Sequence, residues 1–107
     1  MIIVQLTNGF GNNIFQYTAA KLLADFHGQG AYALPPSHDY YAIPDLKNLG
    51  VSFYEKEGNL SSIIKGNDLN YKQLFSKAYS KYNFILNGYF EDYTHFENDI
   101  DKIKSWY

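Results

Sequence analysis

The residues best suited to chemistry form a turn rich in glycine and asparagine, with the sequence TNGFGNN at residues 7–13. The turn follows a β-branched apolar run at residues 2–6, which is typical of a buried strand. Glycine lets the backbone approach a ligand closely, and the start of a helix offers unpaired N–H groups at the positive end of its dipole. The pattern predicts a strand-to-helix junction that can face an anionic group. A tight turn with no ligand is the alternative.

Neither of the common phosphate-binding signatures is complete at this turn. Gly9 and Gly11 supply the first two glycines of the dinucleotide pattern G-x-G-x-x-G, but the third position is Ile14. No acidic residue closes the next predicted strand, where a ribose partner would lie, and the turn lacks the Lys-Ser or Lys-Thr pair of a P-loop. The three histidines are scattered along the chain without the spacing of a metal-binding pair, so we expect no metal site.

A helix is predicted after the turn because apolar residues recur there at helical spacing. Asn12 suits the N-cap of this helix, and Gly28 suits the position just after its end. Strand, turn and helix together make a β-α unit. The residues expected to face inward from the helix are Phe15, Ala19, Leu22 and Phe26.

The rest of the chain alternates further strand and helix patterns. Residues 55–70 are polar and favour a surface excursion that allows a short helix at residues 60–65. We expect a single α/β domain over residues 1–107, a Rossmann-like parallel sheet with helices on both faces. The other predicted strands are residues 31–34, 51–54 and 84–86, and the other predicted helices are residues 71–82 and 93–106.

Composition excludes several classes of function. The chain of 107 residues has a net charge of −2, which argues against a nucleic-acid partner. It contains no cysteine, and this excludes disulfides, thiolate metal sites and a cysteine nucleophile. No apolar run reaches the roughly 18 residues of a membrane span. Because the first residues also lack the basic segment of a signal peptide, we expect a cytoplasmic protein.

The absence of arginine has a direct chemical consequence. The guanidinium group is the usual bidentate clamp for phosphate, and lysine replaces it only as a point charge. All nine basic residues of this chain, histidines aside, are lysines. A complete sugar-nucleotide site is expected to contain at least one arginine, which this chain cannot supply. The bias of an AT-rich gene towards Asn, Lys, Tyr, Phe and Ile also explains the composition.

Two strings resemble segments of one glycosyltransferase family. Residues 2–17, IIVQLTNGFGNNIFQY, resemble the opening strand, turn and helix of the bacterial α-1,2-fucosyltransferases, glycosyltransferase family 11, which carry a G-G-[LF]-G-N-Q-[ML]-F-Q-Y-A motif. Residues 88–96, GYFEDYTHF, resemble the later G-Y-[FW]-Q-S-x-x-Y-F segment of that family. The strings occur in the family's order and near its spacing. Asn8, Asn13 and Gln5 depart from the family's Gly, Gln and Arg, which suggests a diverged member.

The resemblance implies the chemistry of a larger enzyme. Members of the family transfer fucose from GDP-fucose to a glycan hydroxyl with inversion, with no metal and no cofactor besides the donor substrate. The chain corresponds to the first third or so of a typical member, the N-terminal lobe of a GT-B-like enzyme. The donor half of the family, with its H-x-R-R-x-D-type signature, lies downstream. We therefore expect the chain to be inactive alone, unless a separate second-half protein docks onto it.

The resemblance also assigns candidate site residues, although it leaves the catalytic residues unknown. Backbone N–H groups at residues 11–13 are expected to meet the diphosphate, with simple helix capping as the alternative role for Asn12. In the second string the alternative is that the aromatic rings pack in the core and the acids cap the last helix. The candidate donor-binding residues are Gly9, Phe10, Gly11, Asn12 and Asn13, and the candidate acceptor-cleft residues are Tyr89, Phe90 and Glu91.

A function from another class fits the same features. A free-standing binding or dimerisation module would keep the fold and lose the chemistry. Apolar surface that a second lobe would otherwise cover would then serve a homodimer. Donor binding by the purified chain separates the two functions.

Overall fold

A parallel β-sheet organises the chain, as seen in a computed structural model that describes residues 1–55, 63–91 and 93–107. The strands are β1 (Ile2–Gln5), β2 (Ala31–Leu34), β3 (Ile63–Gly66) and β4 (Asn83–Leu86). Within the described residues they lie in the order β2, β1, β4, β3, and each pairing is parallel. The predicted α/β class and parallel sheet are confirmed.

The helices differ widely in length. α1 (Phe10–His27) connects β1 to β2 and packs on both, which confirms the predicted β-α-β unit. Two shorter helices follow, α2 (Ile43–Asn48) and α3 (Ile100–Lys104). Among the described helices, none combines the length and the apolar character that crossing a membrane requires. Short 3₁₀ turns are found at Tyr71–Leu74, Lys77–Tyr79, Tyr93–His95 and Glu97–Asp99.

The first strand lies in the middle of the sheet, and its composition explains why. Ile2, Ile3 and Val4 are all buried, which requires cover on both faces. Val4 pairs with Ala33 of β2 on one side and with Leu86 of β4 on the other. The uninterrupted apolar run at the start of the sequence is therefore the strand that has neighbours on both sides.

The two faces of the sheet differ in their cover. Side chains alternate along a strand, so Ile2 and Val4 point to one face and Ile3 to the other. The first face joins α1 in the hydrophobic core. On the second face Tyr32 and Ile85, the partners of Ile3, are partly exposed. Helices are predicted on both faces of the sheet. In the described residues, α1 covers the face that carries Ile2 and Val4.

Small side chains let α1 approach the sheet closely. Ala19 and Ala20 are completely buried between the helix and its neighbours. The predicted inward stripe is right for Ala19 and Leu22 but wrong for Phe15 and Phe26, which are each 40% exposed. These two rings lie at the margins of the helix, where Phe15 stacks on Phe96 and Phe26 packs edge-on against Phe75. An alanine fits at the close helix–sheet contact, whereas a phenyl ring would hold the two layers apart.

Glycines mark both ends of α1. The helix ends at Gly28, whose φ of +65° is left-handed, as predicted. Its N-cap is Gly9, with φ of +112°, and the prediction of Asn12 in this role is wrong. The chain turns into the helix at Gly9, because glycine alone adopts this backbone conformation without strain. Asn12 consequently lies inside the first helical turn.

The predicted helix over residues 71–82 is wrong, because the segment forms two separate 3₁₀ turns. The imidazole of His27, buried at the end of α1, forms a hydrogen bond with a backbone carbonyl of this segment. Its Nε2 donates to the carbonyl of Leu74 at 2.9 Å, and its Nδ1 accepts from the hydroxyl of Ser80 at 2.9 Å. In an α-helix the Leu74 carbonyl would instead accept an N–H four residues later.

Two strand assignments also differ from the prediction. Residues 63–65 of the predicted short helix belong to β3, while residues 60–62 lie outside the described part of the chain. In the predicted strand over residues 51–54, a single residue, Phe53, forms a bridge with Ala33 of β2. Both differences arise at the edges of the sheet, where pairing with a neighbouring strand decides the conformation.

The last predicted helix is shorter than expected. Residues 93–106 contain two 3₁₀ turns and then α3. Phe96 is buried, whereas Ile100 is 44% exposed. An ion pair between Lys102 and Asp25, at 2.8 Å, joins α3 to the exposed side of α1.

One buried tyrosine connects the 3₁₀ turn after β3 to α1. Tyr71 is 1% exposed, and its hydroxyl donates to the Ala19 carbonyl at 2.7 Å. Burial raises the pKa of this hydroxyl well above its ordinary value, and the Asp99 carboxylate raises it further. The folded state therefore keeps Tyr71 protonated under conditions in which the unfolded chain begins to lose that proton.

We predict that Tyr71 makes the fold sensitive to alkali. Because its folded-state pKa exceeds the unfolded value of about 10, the associated stability is fully present below that pH and is lost as pH rises above it. Tyr71→Phe should lower the free energy of unfolding by about 1 kcal/mol at neutral pH. Above pH 10 it should reduce the slope of the loss by up to about 1.4 kcal/mol per pH unit.

Urea unfolding at several pH values measures both effects. Tyr82→Phe is the matched control because the Tyr82 side chain is 40% exposed, and it should change neither quantity. An unchanged alkaline slope in Tyr71→Phe would contradict the prediction.

Candidate ligand-binding site

The glycine-rich turn lies at the carboxyl edge of the sheet, where open parallel sheets bind ligands. Residues 7–9 follow β1 and lead into α1, and residues 87–91 follow β4. Because β1 and β4 are adjacent and parallel, these two loops emerge side by side. The sheet thus brings together the two strings on which the family resemblance depends.

Gln16 joins the two loops directly from inside the protein. Its side chain is fully buried. Its Nε2 donates to the Gly88 carbonyl at 2.8 Å and to Thr7 Oγ1 at 3.1 Å, and its Oε1 accepts the Thr7 N–H at 3.2 Å. Both N–H bonds of the amide and its oxygen have partners, so the side chain is held in one orientation. The loop after β1 is therefore fixed relative to the loop after β4.

Asn13 and Tyr40 hold the turn from beneath. The fully buried Asn13 side chain donates from Nδ2 to the Thr7 carbonyl at 2.7 Å, and its Oδ1 accepts the Tyr40 hydroxyl at 2.7 Å. The same hydroxyl accepts the N–H of Gly9 at 2.9 Å. Burial raises the pKa of Tyr40, so the hydroxyl keeps the proton that it donates to Asn13. The conformation of the turn is set by side chains of the protein itself.

Three backbone N–H groups at the start of α1 are available to a ligand. The Asn13 N–H, which donates to the Gly9 carbonyl at 3.1 Å, is the first N–H of the helix that has a backbone acceptor, so the N–H groups of Phe10, Gly11 and Asn12 come before it and have none. Gly11 is exposed, and a Cβ built there meets nothing within 4 Å. The first turn of α1 contains no acidic residue that would neutralise the helix dipole. This end of the helix can hold an anion at the protein surface.

The five residues predicted to hold a donor therefore divide into two groups. The N–H of Gly9 is bonded to Tyr40, and both the N–H and the side chain of Asn13 are used within the protein. The expectation that the Asn13 N–H meets a phosphate is wrong for this reason. The remaining residues, Phe10, Gly11 and Asn12, keep their N–H groups at the surface.

The residues predicted for an acceptor cleft divide in a similar way. Tyr89 is 52% exposed and Glu91 is also exposed, so both side chains are accessible at the carboxyl edge. Phe90 is fully buried and packs edge-on against Tyr71, as the alternative of core packing predicts for it. Phe90 therefore cannot contact an acceptor with its ring in this structure. Of the two acids expected to cap the last helix, Asp92 lies outside the described residues.

Sequence reasoning missed three residues that shape this edge. Tyr40 follows two prolines and lies 27 positions beyond Asn13, so no local pattern links the two. Gln16 belongs to the first family-like string, but helical periodicity gives no reason to bury a polar residue there. Asp68, whose Oδ1 accepts the Phe90 N–H at 2.9 Å, lies in a polar segment without a pattern. Of these three residues, Gln16 alone has a signal in the sequence, namely its place in the first string that resembles the family.

The groups at the carboxyl edge limit the chemistry that the candidate site offers. In the described ranges no three His, Asp or Glu side chains come close enough to hold a metal ion. A concavity of about 300 Å³ lies at the opposite, amino-terminal edge of the sheet, where Lys21, Gln29 and Ser52 contribute to its lining. It contains no residue from the two loops. The groups available for chemistry at the carboxyl edge are therefore backbone N–H donors, an exposed aromatic ring and a carboxylate.

Comparison with known proteins adds no relative, because no family model, curated protein or solved structure matches this chain. The class that the structure defines is a parallel α/β domain with an anion-compatible helix start at its carboxyl edge.

We predict that the buried amide of Gln16 is essential to the stability of this edge. Gln16→Met keeps the length of the side chain but leaves the Gly88 carbonyl and the Thr7 N–H without their partners. The free energy of unfolding should fall by about 2–4 kcal/mol, since each unsatisfied buried polar group costs about 1–3 kcal/mol.

Urea unfolding followed by circular dichroism measures this loss. Gln73→Met is the matched control, because Gln73 is exposed, and it should change stability by less than about 0.5 kcal/mol. Equal effects of the two substitutions would refute the role of Gln16.

Proposed function

We propose that this chain is a fucosyltransferase-like glycosyltransferase domain. In a complete enzyme it would help to transfer fucose from GDP-fucose to a glycan hydroxyl. The observation that carries the proposal is the row of N–H groups at Phe10, Gly11 and Asn12. These groups lie within the string that resembles the donor-facing turn of the α-1,2-fucosyltransferases.

The electrostatics of the turn suit a diphosphate better than a neutral ligand. Several N–H groups point out of one helix end, and the helix dipole adds a partial positive charge of about half a unit there. No acidic side chain in the first turn opposes this field. Tight binding of the diphosphate in a complete enzyme also calls for a strong cation, and the chain has no arginine. The proposal therefore includes a second lobe, or a separate second-half protein, that supplies the cationic clamp in a GT-B-like arrangement.

The proposed mechanism relies on positioning and on stabilising the leaving group. N–H donors held rigidly by Asn13 and Gln16 would stabilise the charge that develops on the departing diphosphate. The acceptor hydroxyl would attack the sugar from the opposite side, which inverts the configuration and requires no covalent intermediate with the protein. Tyr89 and Glu91, exposed on the adjacent loop, are available to orient the acceptor. Without the second lobe, the chain should show no turnover.

A second candidate function is a non-catalytic binding or dimerisation module. The observation that favours it is the second face of the sheet, where the partly exposed Tyr32 and Ile85 flank Ile3 and where Ile63 of β3 is 38% exposed. A purely parallel sheet normally has cover on both faces. A homodimer formed through that face would provide such cover.

We predict that Gly11→Asp separates anion binding from stability. The new carboxylate has open space and lies near the positive helix end, so it should stabilise the fold by about 0.3–1 kcal/mol. It should weaken GDP and GDP-fucose binding roughly tenfold, because it repels the diphosphate at the same N–H groups. Isothermal titration calorimetry measures binding, and thermal unfolding measures stability.

Gly11→Asn is the matched control, since it adds a side chain of the same shape without the charge, and it should retain most of the affinity. Equal affinity of the Asp and Asn variants would contradict a diphosphate site at this turn. No saturable binding by the wild-type chain, together with a stable dimer in light scattering, would support the dimerisation module instead.

A further inference from the structure

Three hydrogen bonds join the loop after β4 to β3, to α1 and to the turn that follows β3. The Asn87 N–H donates to the Gly66 carbonyl of β3 at 2.8 Å. The Gly88 carbonyl accepts from Gln16 of α1 at 2.8 Å. The Phe90 N–H donates to Oδ1 of Asp68, just beyond β3, at 2.9 Å. The backbone of this short loop is therefore hydrogen-bonded to the rest of the fold at three of its residues, Asn87, Gly88 and Phe90.

Asp68 contacts the loop at its two residues with positive φ, Gly88 and Phe90. Phe90 has φ of +55°, a left-handed conformation that is strained for a residue with a side chain. Asp68 accepts the N–H of this same residue. The carboxylate also lies against Gly88, where a Cβ would come within 2.7 Å of Oδ1. The absence of a side chain at residue 88 is what allows the carboxylate to reach Phe90.

Tyr89 lies between these two anchored residues. The Phe90 side chain is buried in the core and the Gly88 carbonyl is bonded to Gln16, so the backbone on both sides of Tyr89 is fixed. The Tyr89 side chain is nevertheless 52% exposed at the carboxyl edge of the sheet. An exposed aromatic ring on a hydrogen-bonded loop has less backbone freedom than a surface tyrosine on a mobile loop. Such a ring loses little conformational entropy when a flat ligand stacks on it.

We propose that Asp68 is a positioning residue that fixes the Gly88–Phe90 backbone and thereby presents Tyr89 as a stacking surface for the pyranose ring of the acceptor sugar. The assignment of the ligand rests on the proposed function, whereas the role of Asp68 in the loop does not. A pyranose has an apolar face of C–H groups that packs on an aromatic ring. The carboxylate acts through the backbone of the loop and makes no contact with the sugar.

The first experiment tests the loop itself in the full chain. Asp68→Ala removes the acceptor for the Phe90 N–H and should increase amide hydrogen exchange at Phe90 roughly tenfold or more, with a change in the ring resonances of Tyr89. Asp68→Asn keeps an oxygen at the same position and should restore most of the protection. Asp101→Ala, which removes an exposed carboxylate from α3, is the matched control and should leave both signals unchanged.

The second experiment tests the stacking surface with a panel of methyl pyranosides titrated by NMR. The expected result is that Tyr89 resonances shift in the wild-type chain and in Asp68→Asn, and that affinity falls at least fivefold in Asp68→Ala and is lost in Tyr89→Ala. Loss of affinity in Tyr89→Ala without any loss in Asp68→Ala would overturn the role of Asp68.

The two experiments separate the inference from the function. Unchanged exchange at Phe90 in Asp68→Ala would overturn the positioning role whatever the ligand is. Faster exchange at Phe90, combined with no pyranoside binding by the wild-type chain, would keep that role and reject the acceptor site.

Discussion

The arrangement of the carboxyl edge depends on one buried amide, the side chain of Gln16. It hydrogen-bonds to Thr7 in the turn after β1 and to Gly88 in the loop after β4. A buried polar group is costly unless each of its hydrogen-bonding atoms is satisfied, and here each of them is. The same bonds that remove this cost also set the distance between the two loops. The geometry of the candidate site thus follows from a requirement of folding.

The neighbouring polar groups extend this constraint outward. Asn13 continues the network to Tyr40, and Tyr40 reaches the N–H of Gly9. These bonds use the inward-pointing groups of the turn and leave the N–H groups of residues 10–12 facing outward. A turn supported in this way has N–H donors that need little reorganisation when an anion arrives, which is the property that electrostatic catalysis requires. The support lies inside this chain, although the chain contains no arginine.

The agreement between sequence and structure is best where local patterns are strong. The run at residues 2–6 follows from its β-branched composition, and the end of α1 at Gly28 follows from the conformational freedom of glycine. The strand Ala31–Leu34 matches a short apolar run that two prolines close. The segment at residues 71–82 shows the opposite case, since its periodicity predicts one helix whereas it forms two 3₁₀ turns, with the Leu74 carbonyl bonded to His27. Periodicity describes the chain alone and cannot anticipate a hydrogen bond from an element 47 residues away.

The sequence by itself determined the class of the fold, the first β-α unit and the turn that could face an anion, because each depends on residues close together in the chain. Only the tertiary structure decided which groups of that turn are free. It used the Asn13 side chain and the Gly9 N–H internally, buried Phe90 and left Tyr89 exposed. Burial and hydrogen bonding at this edge join residues that are far apart in sequence, such as Gln16 with Gly88 and Asp68 with Phe90. Contacts of that kind exist only once the strands have paired.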